Sequence, residues 1–142
     1  ESSNSTLLPP ILEIALHFRL GDLQEVKPNA IVVPVDILRE VLAQQPNSSV
    51  TVFSDSSADK LCFYFSPDIF GKIEIFNNVS TPMVILQCAK SGYFIGTNSK
   101  ISIWITWLRF LESSSKTFLP KILKFQESEF TDTMTQQTII WY

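Results

Sequence analysis

The stretch "LEIALHFRLGD", residues 12–22, decides how this chain is read. Successive side chains of a strand point to opposite faces, so Leu12, Ile14, Leu16 and Phe18 share one side and Glu13, Ala15, His17 and Arg19 the other. The run is almost wholly apolar as far as Phe18 and then turns polar. A strand buried on both faces reads this way, and such strands belong to parallel sheets covered by helices. The chain's single histidine stands in this strand, just before Arg19 and Asp22.

Working outward, strand and helix patterns alternate. "PVDILREVLAQQ" (34–45) reads as a helix with Val35, Leu38, Val41 and Leu42 in one stripe, after a loop over 21–30. "SVTVFSD" (49–55), "KIEIFN" (72–77) and "GYFIGTNS" (92–99) read as further strands. "SADKLCFYFS" (57–66) reads as a short helix, although its aromatic residues also suit a strand. "TPMVILQCAKS" (81–91) is expected to be a helix with Thr81 at N-cap and Pro82 at the first helical position. "ISIWITWLRFLES" (101–113) is expected to be a helix presenting Ile101, Trp104, Ile105 and Leu108 on one face, with Trp104 and Trp107 in the core. In the tail, "TFLPKIL" and "TIIWY" are read as short strands. The alternation predicts one α/β domain over 1–142, a Rossmann-like parallel sheet with helices on both faces.

Composition narrows the function. Net charge is −3 and the isoelectric point about 5.1, which gives no basic footprint for nucleic acid or anionic membrane. Cys62 and Cys88 match no metal or redox spacing and are expected to be buried thiols; with one His, no zinc site is expected. The apolar run "ISIWITWL" (101–108) is too short to span a bilayer. No signal-peptide pattern is visible, so a cytoplasmic location is expected, with the Golgi lumen as the alternative for a eukaryotic source. The opening "ESSNSTLLPP", without Met, reads as a piece of a longer protein, with a small stand-alone relative as the alternative. Asn4, Asn47 and Asn78 stand in glycosylation sequons, which matter only on a secretory route.

In open α/β sheets ligands bind at the carboxyl ends of the strands, and the polar clusters fall there. His17 and Arg19, about 6.5 Å apart on one strand face, can converge on one anion, with Arg supplying a planar fork of donors. An Arg19–Asp22 pair beside a structural His17 is the competing reading. Ser54 and Asp55 end the second strand, where a carboxylate can take ribose hydroxyls or cap a helix. Asn98, Ser99 and Ser102 stand at a helix start, where they can cap it or help to hold phosphate. There is no GxSxG elbow, P-loop, GxGxxG turn or Asp-x-Asp pair.

Two stretches resemble a known family. "LHFRLGD" (16–22) is similar to the H-x-R-x-G-D type motif of GDP-fucose-dependent fucosyltransferases, the α1,2, α1,6 and protein O-fucosyl group. "TNSKISIWITWL" (97–108) resembles the N-S-S-F-S-W-W-x-x-W-L segment of the α1,2 enzymes, matching at Asn98, Ser99, Ser102, Trp104, Trp107 and Leu108, with "VTVFSD" (50–55) as the strand element between. The resemblance spans roughly residues 10–112. It departs at Leu20, where many members carry a second Arg, at Lys100-Ile101 for Ser-Phe, and at Ile103 for the first Trp.

The resemblance implies the C-terminal, donor-binding half of a GT-B-type enzyme that binds GDP-fucose without metal or further cofactor and inverts the sugar. On this reading Arg19 and His17 serve the diphosphate as catalytic residues, and Asp22, Ser54, Asp55, Asn98, Ser99 and Ser102 bind the donor nucleotide. The acceptor would be a glycan of unspecified kind. Acceptor binding would come from a partner domain or a second copy, so activity of this domain alone is not expected. A nucleotide-binding or interaction module that transfers no sugar is the alternative.

Overall fold

The computed structural model describes residues 12–109, 116–123 and 138–142. At its centre lies β1 (Ile14–Phe18), hydrogen-bonded in parallel to β2 (Val50–Ser54) on one side and β4 (Tyr93–Gly96) on the other. β2 in turn pairs with β3 (Ile73–Phe76), while β4 leads through β5 (Lys116–Leu119) to β6 (Thr138–Trp141). The sheet is six-stranded and parallel throughout, in the order β3-β2-β1-β4-β5-β6. This is the doubly wound Rossmann order, with its reversal between β1 and β4.

Helices cover both faces, as the near-continuous apolarity of β1 requires. Ile14, Leu16 and Phe18 pack with Ile37, Leu38, Val41 and Leu42 of α2 (Val35–Gln44), Leu61 of α3 (Ala58–Leu61) and Ile69 of α4 (Pro67–Phe70). Ala15 faces the opposite layer, with Phe53 and Phe94, against Val84 and Cys88 of α5 (Thr81–Lys90) and Ile103 and Ile105 of α6 (Lys100–Arg109). Leu12 belongs to this second layer and not with Ile14, because it precedes the strand and escapes the alternation. No helix among the described residues is long and apolar enough to cross a membrane.

Several local readings are corrected. Residues 21–30 are helical where a loop was expected: α1 (Gly21–Val26) is followed by a 3-10 turn at Pro28–Ala30. A long-range contact makes this possible, since Asp55 accepts the N–H groups of Leu20 and Gly21 at the start of α1. The segment 57–66 divides into α3 and a turn, and Pro67 starts α4, which was not foreseen. In α5 the N-cap is Ser80, so Thr81 opens the helix and Pro82 takes the second position. Cys88 is buried as expected, but Cys62 is exposed.

The face of α6 differs most from expectation. Its buried side chains are Ser102, Ile103, Ile105, Thr106 and Arg109, while Trp104 is 63% exposed, Trp107 43% and Leu108 46%. Ser102 and Thr106 hide their polarity by donating their hydroxyls to the carbonyls of Thr97 and Ser102. The start of α6 can then press onto the end of β4, where a Cβ on Gly96 would meet Ser102 Oγ at 2.6 Å. Tight approach selects a small residue at Ser102, against Gly96, and the tryptophans lie on the outer face.

Arg109 is wholly buried. Its guanidinium donates to Thr117 Oγ1 at 2.8 Å, to the carbonyls of Cys88, Ser91 and Lys116 at 2.9, 2.7 and 2.8 Å, and lies 5.8 Å from the Phe94 ring centroid. One cation thus ties the end of α6 to the end of α5 and the starts of β4 and β5. Replacing Arg109 with Met leaves those acceptors dry and is expected to cost about 3 kcal/mol or more, read by chemical denaturation. Trp104→Gln should shift stability by no more than about 0.5 kcal/mol, against about 3–5 kcal/mol for loss of a core tryptophan.

Candidate functional site

At the carboxyl edge of the sheet a cleft of about 370 Å³ opens over the ends of β1, β2 and β3, beside the first turns of α5 and α6. His17 and Arg19 reach it from β1, Ser54 and Asp55 from β2, Phe76 and Asn77 from β3, Thr81 and Val84 from α5, and Ser99 and Ile101 from the start of α6. It lies on the β2 side of the β1–β4 reversal, the place where doubly wound sheets hold ligands, and Ser99 and Ile101, which follow β4, complete its wall. A second groove of about 500 Å³ lies on the other side of Arg19 and Asp22, lined also by Leu23, Val26, Lys27, Ala30, Asn98 and Ile122.

The end of β1 is held by side chains of its neighbours. Thr97 Oγ1 donates to the His17 carbonyl at 2.9 Å and accepts the Arg19 N–H at 3.0 Å. Ser54 Oγ donates to the Phe18 carbonyl at 2.8 Å and accepts the Ser56 N–H at 3.2 Å. Asp55 Oδ1 accepts the N–H groups of Leu20 at 3.1 Å and Gly21 at 3.0 Å. A dinucleotide-type Rossmann domain offers the N–H groups of its first βα turn to a diphosphate. Here the Asp55 carboxylate takes them, so an anion in the cleft must be met by other donors.

Arg19 is the group positioned for that. Its Nε and Nη2 hold the two carboxylate oxygens of Asp22 at 3.1 and 2.7 Å, and Nη1 donates to the Asn98 carbonyl at 3.3 Å. The bidentate contact raises the pKa of Arg19 and lowers that of Asp22. The Arg19–Asp22 pair named as the competing reading is therefore formed. Because it lines the cleft, it is also part of the site.

His17 is half-buried, with Nδ1 enclosed and without a hydrogen-bond partner among the described residues. Burial drives its pKa down from 6.5 to about 4; Asp55 opposes the shift and the Arg19 cation adds to it. The imidazole is neutral at pH 7 and can offer an anion one N–H, not a charge.

The remaining expected residues divide. Ser99 lines the cleft, with Oγ accepting the Ile101 N–H at 3.2 Å in the first turn of α6. Ser102 is wholly buried and its hydroxyl is spent on the Thr97 carbonyl, so it supports the turn from beneath. Asn98 lies on the second groove, its Nδ2 bonded to the Ala30 carbonyl at 3.0 Å. Trp104 and Trp107 lie on the outer face of α6. Sequence reading placed Thr97 at the end of the fourth strand without giving it a role and overlooked Asn77, although the strand-end rule that selected Asp55 points to both. Among the described residues no group of three or more His, Cys, Asp or Glu side chains gathers as a metal site.

Strand order and edge cleft together define the class: a Rossmann-like α/β domain with a cleft at the carboxyl ends of its strands. Comparison with protein-family models and with curated proteins finds no match.

The depressed His17 pKa couples stability to pH. The unfolded chain binds a proton at His17 near pH 6.5, whereas the folded one resists until about pH 4. The stability this gives is complete above pH 6.5 and is lost as pH falls toward 4, up to about 3 kcal/mol at roughly 1.4 kcal/mol per pH unit. His17→Gln should flatten the fall in melting temperature over this window; parallel pH profiles for the two proteins would remove His17 as its source.

Proposed function

We propose that this domain binds a guanosine diphosphate sugar, GDP-fucose, by its diphosphate, as the donor half of a fucosyltransferase-like glycosyltransferase. The observation that carries the reading is the convergence of His17 and Arg19 from β1 with Asp55 from β2 and Ser99 from the start of α6 on one cleft at the carboxyl ends of the strands. These are the residues that the resemblance assigns to the donor.

The chemistry needed is stabilisation of a leaving diphosphate. As the glycosidic bond breaks, negative charge builds on the β-phosphate, and a preorganised cation placed there lowers the barrier. Arg19 supplies that cation, steadied through its backbone by Thr97 and through Nη1 by the Asn98 carbonyl. Neutral His17 adds a hydrogen bond. The Ser99 hydroxyl and the first turn of α6 lie on the same wall. One oxygen of Asp55 is committed to α1, so its second oxygen is the one open to guanosine or ribose. In this reading the acceptor is bound by a partner domain or a second copy. A module that binds nucleotide without transferring sugar is the second reading, favoured by the Asp22 carboxylate already seated on the Arg19 fork.

GDP at 100 times its Kd should stabilise the fold by about 2.7 kcal/mol, visible as a thermal shift that persists in EDTA. Arg19→Ala should weaken GDP by roughly 1.5–3 kcal/mol and GMP, which lacks the β-phosphate, much less. Silence of GDP, UDP and ADP at millimolar concentration would remove the nucleotide reading; equal losses for GDP and GMP would remove Arg19 from the β-phosphate.

A further inference from the structure

We propose that Asp22 is a displaceable stand-in for the ligand anion: its carboxylate occupies the Arg19 fork, and a diphosphate engages Arg19 only by evicting it. The proposal rests on the nucleotide-diphosphate reading of the cleft. Asp22 Oδ1 and Oδ2 sit on Nε and Nη2 at 3.1 and 2.7 Å, the parallel two-bond arrangement by which a guanidinium holds two phosphate oxygens. Carboxylate and phosphate therefore compete for the same two donors.

Three features make the carboxylate the movable partner. Asp22 is exposed, with 57% of its side chain open to solvent against 35% for Arg19, so water takes over its oxygens at once on release. An ion pair this exposed contributes little and is easily broken. Arg19 stays in place without it, because its N–H is bonded to Thr97 and its Nη1 to the Asn98 carbonyl, and Asn98 is itself tied to Ala30. The helix that carries Asp22 is anchored at Leu20 and Gly21 by Asp55, so a change of rotamer at Asp22 suffices.

Eviction has a geometric consequence. Arg19 and Asp22 form the shared wall between the 370 Å³ cleft and the 500 Å³ groove beyond it. Swinging Asp22 aside joins the two spaces beside the phosphate, toward Leu23, Val26 and Lys27. Asp22 then biases selectivity: a ligand that places an anion on Arg19 replaces the pair it breaks, and a ligand without one does not.

Calorimetry with GDP, GMP and inorganic pyrophosphate on the wild type, Asp22→Asn, Arg19→Ala and the double variant tests this, with melting curves to confirm folding. Asp22→Asn should bind GDP and pyrophosphate roughly two- to fivefold tighter, the range set by loss of an exposed pair, and GMP unchanged. In the Arg19→Ala background the same substitution should give no gain, because Asp22 acts through Arg19. Should Asp22→Asn fold poorly, Asp22→Ser provides the same comparison. Unchanged or weaker binding in the Asp22 variants, or a gain that persists without Arg19, overturns the eviction model and leaves the cleft reading standing. No binding of GDP or pyrophosphate by the wild type and the Asp22 variants alike overturns both.

Discussion

Pairing of β1 on both its edges governs the arrangement of the sheet and of the residues at its carboxyl edge. A strand hydrogen-bonded in parallel to β2 and β4, and covered on both faces, must bury almost every side chain it carries. Where the ladder stops, its backbone groups still need partners. Thr97 supplies them for His17 and Arg19, Ser54 for Phe18, and Asp55 for Leu20 and Gly21. The last turns of the neighbouring strands thereby fix the end of β1, and with it the places of the imidazole and the guanidinium. The site is a by-product of closing that edge.

The same economy governs charge. Two carboxylates stand at the cleft, and both are used within the fold, Asp55 on the first turn of α1 and Asp22 on Arg19. His17 is held neutral by its burial. Deeper in the molecule, Arg109 is buried among carbonyls and hydroxyls at the junction of α5, α6, β4 and β5. Arg19 and Arg109 have opposite roles for the same reason: a guanidinium has several donors in a fixed plane, and the surroundings decide whether carbonyls in the interior or an anion at an open edge meets them.

Elements with strong periodicity were legible. The four strand patterns from Ile14 to Gly96, the α2 stripe and the two tail strands at Lys116–Leu119 and Thr138–Trp141 lie where apolar patterning places them. Helix α1 was not legible, because its start is satisfied by Asp55, thirty-odd residues away. The inner face of α6 was hidden for a related reason. Ser102, Thr106 and Arg109 look solvent-facing by residue type, yet each finds its hydrogen bonds inside, and the tryptophans that look buried lie on the outer face of a helix pressed close against Gly96.

For the candidate site, apolar patterning alone pointed to the strand-end residues and to the edge of the sheet where they gather. Apolar runs ending in His17-x-Arg19, Ser54-Asp55 and Asn98-Ser99 point to parallel strands whose polar ends lie together, because apolar patterning is a local property of the chain. Which partner each of them takes emerges only on folding. Asp55 faces the start of α1, Asp22 closes the Arg19 fork, Ser102 is sealed beneath the turn, and Asn98 sits on the far side of the ion pair. Such assignments depend on which backbone groups of distant segments lack partners when the sheet closes, and spacing along the chain carries no record of them.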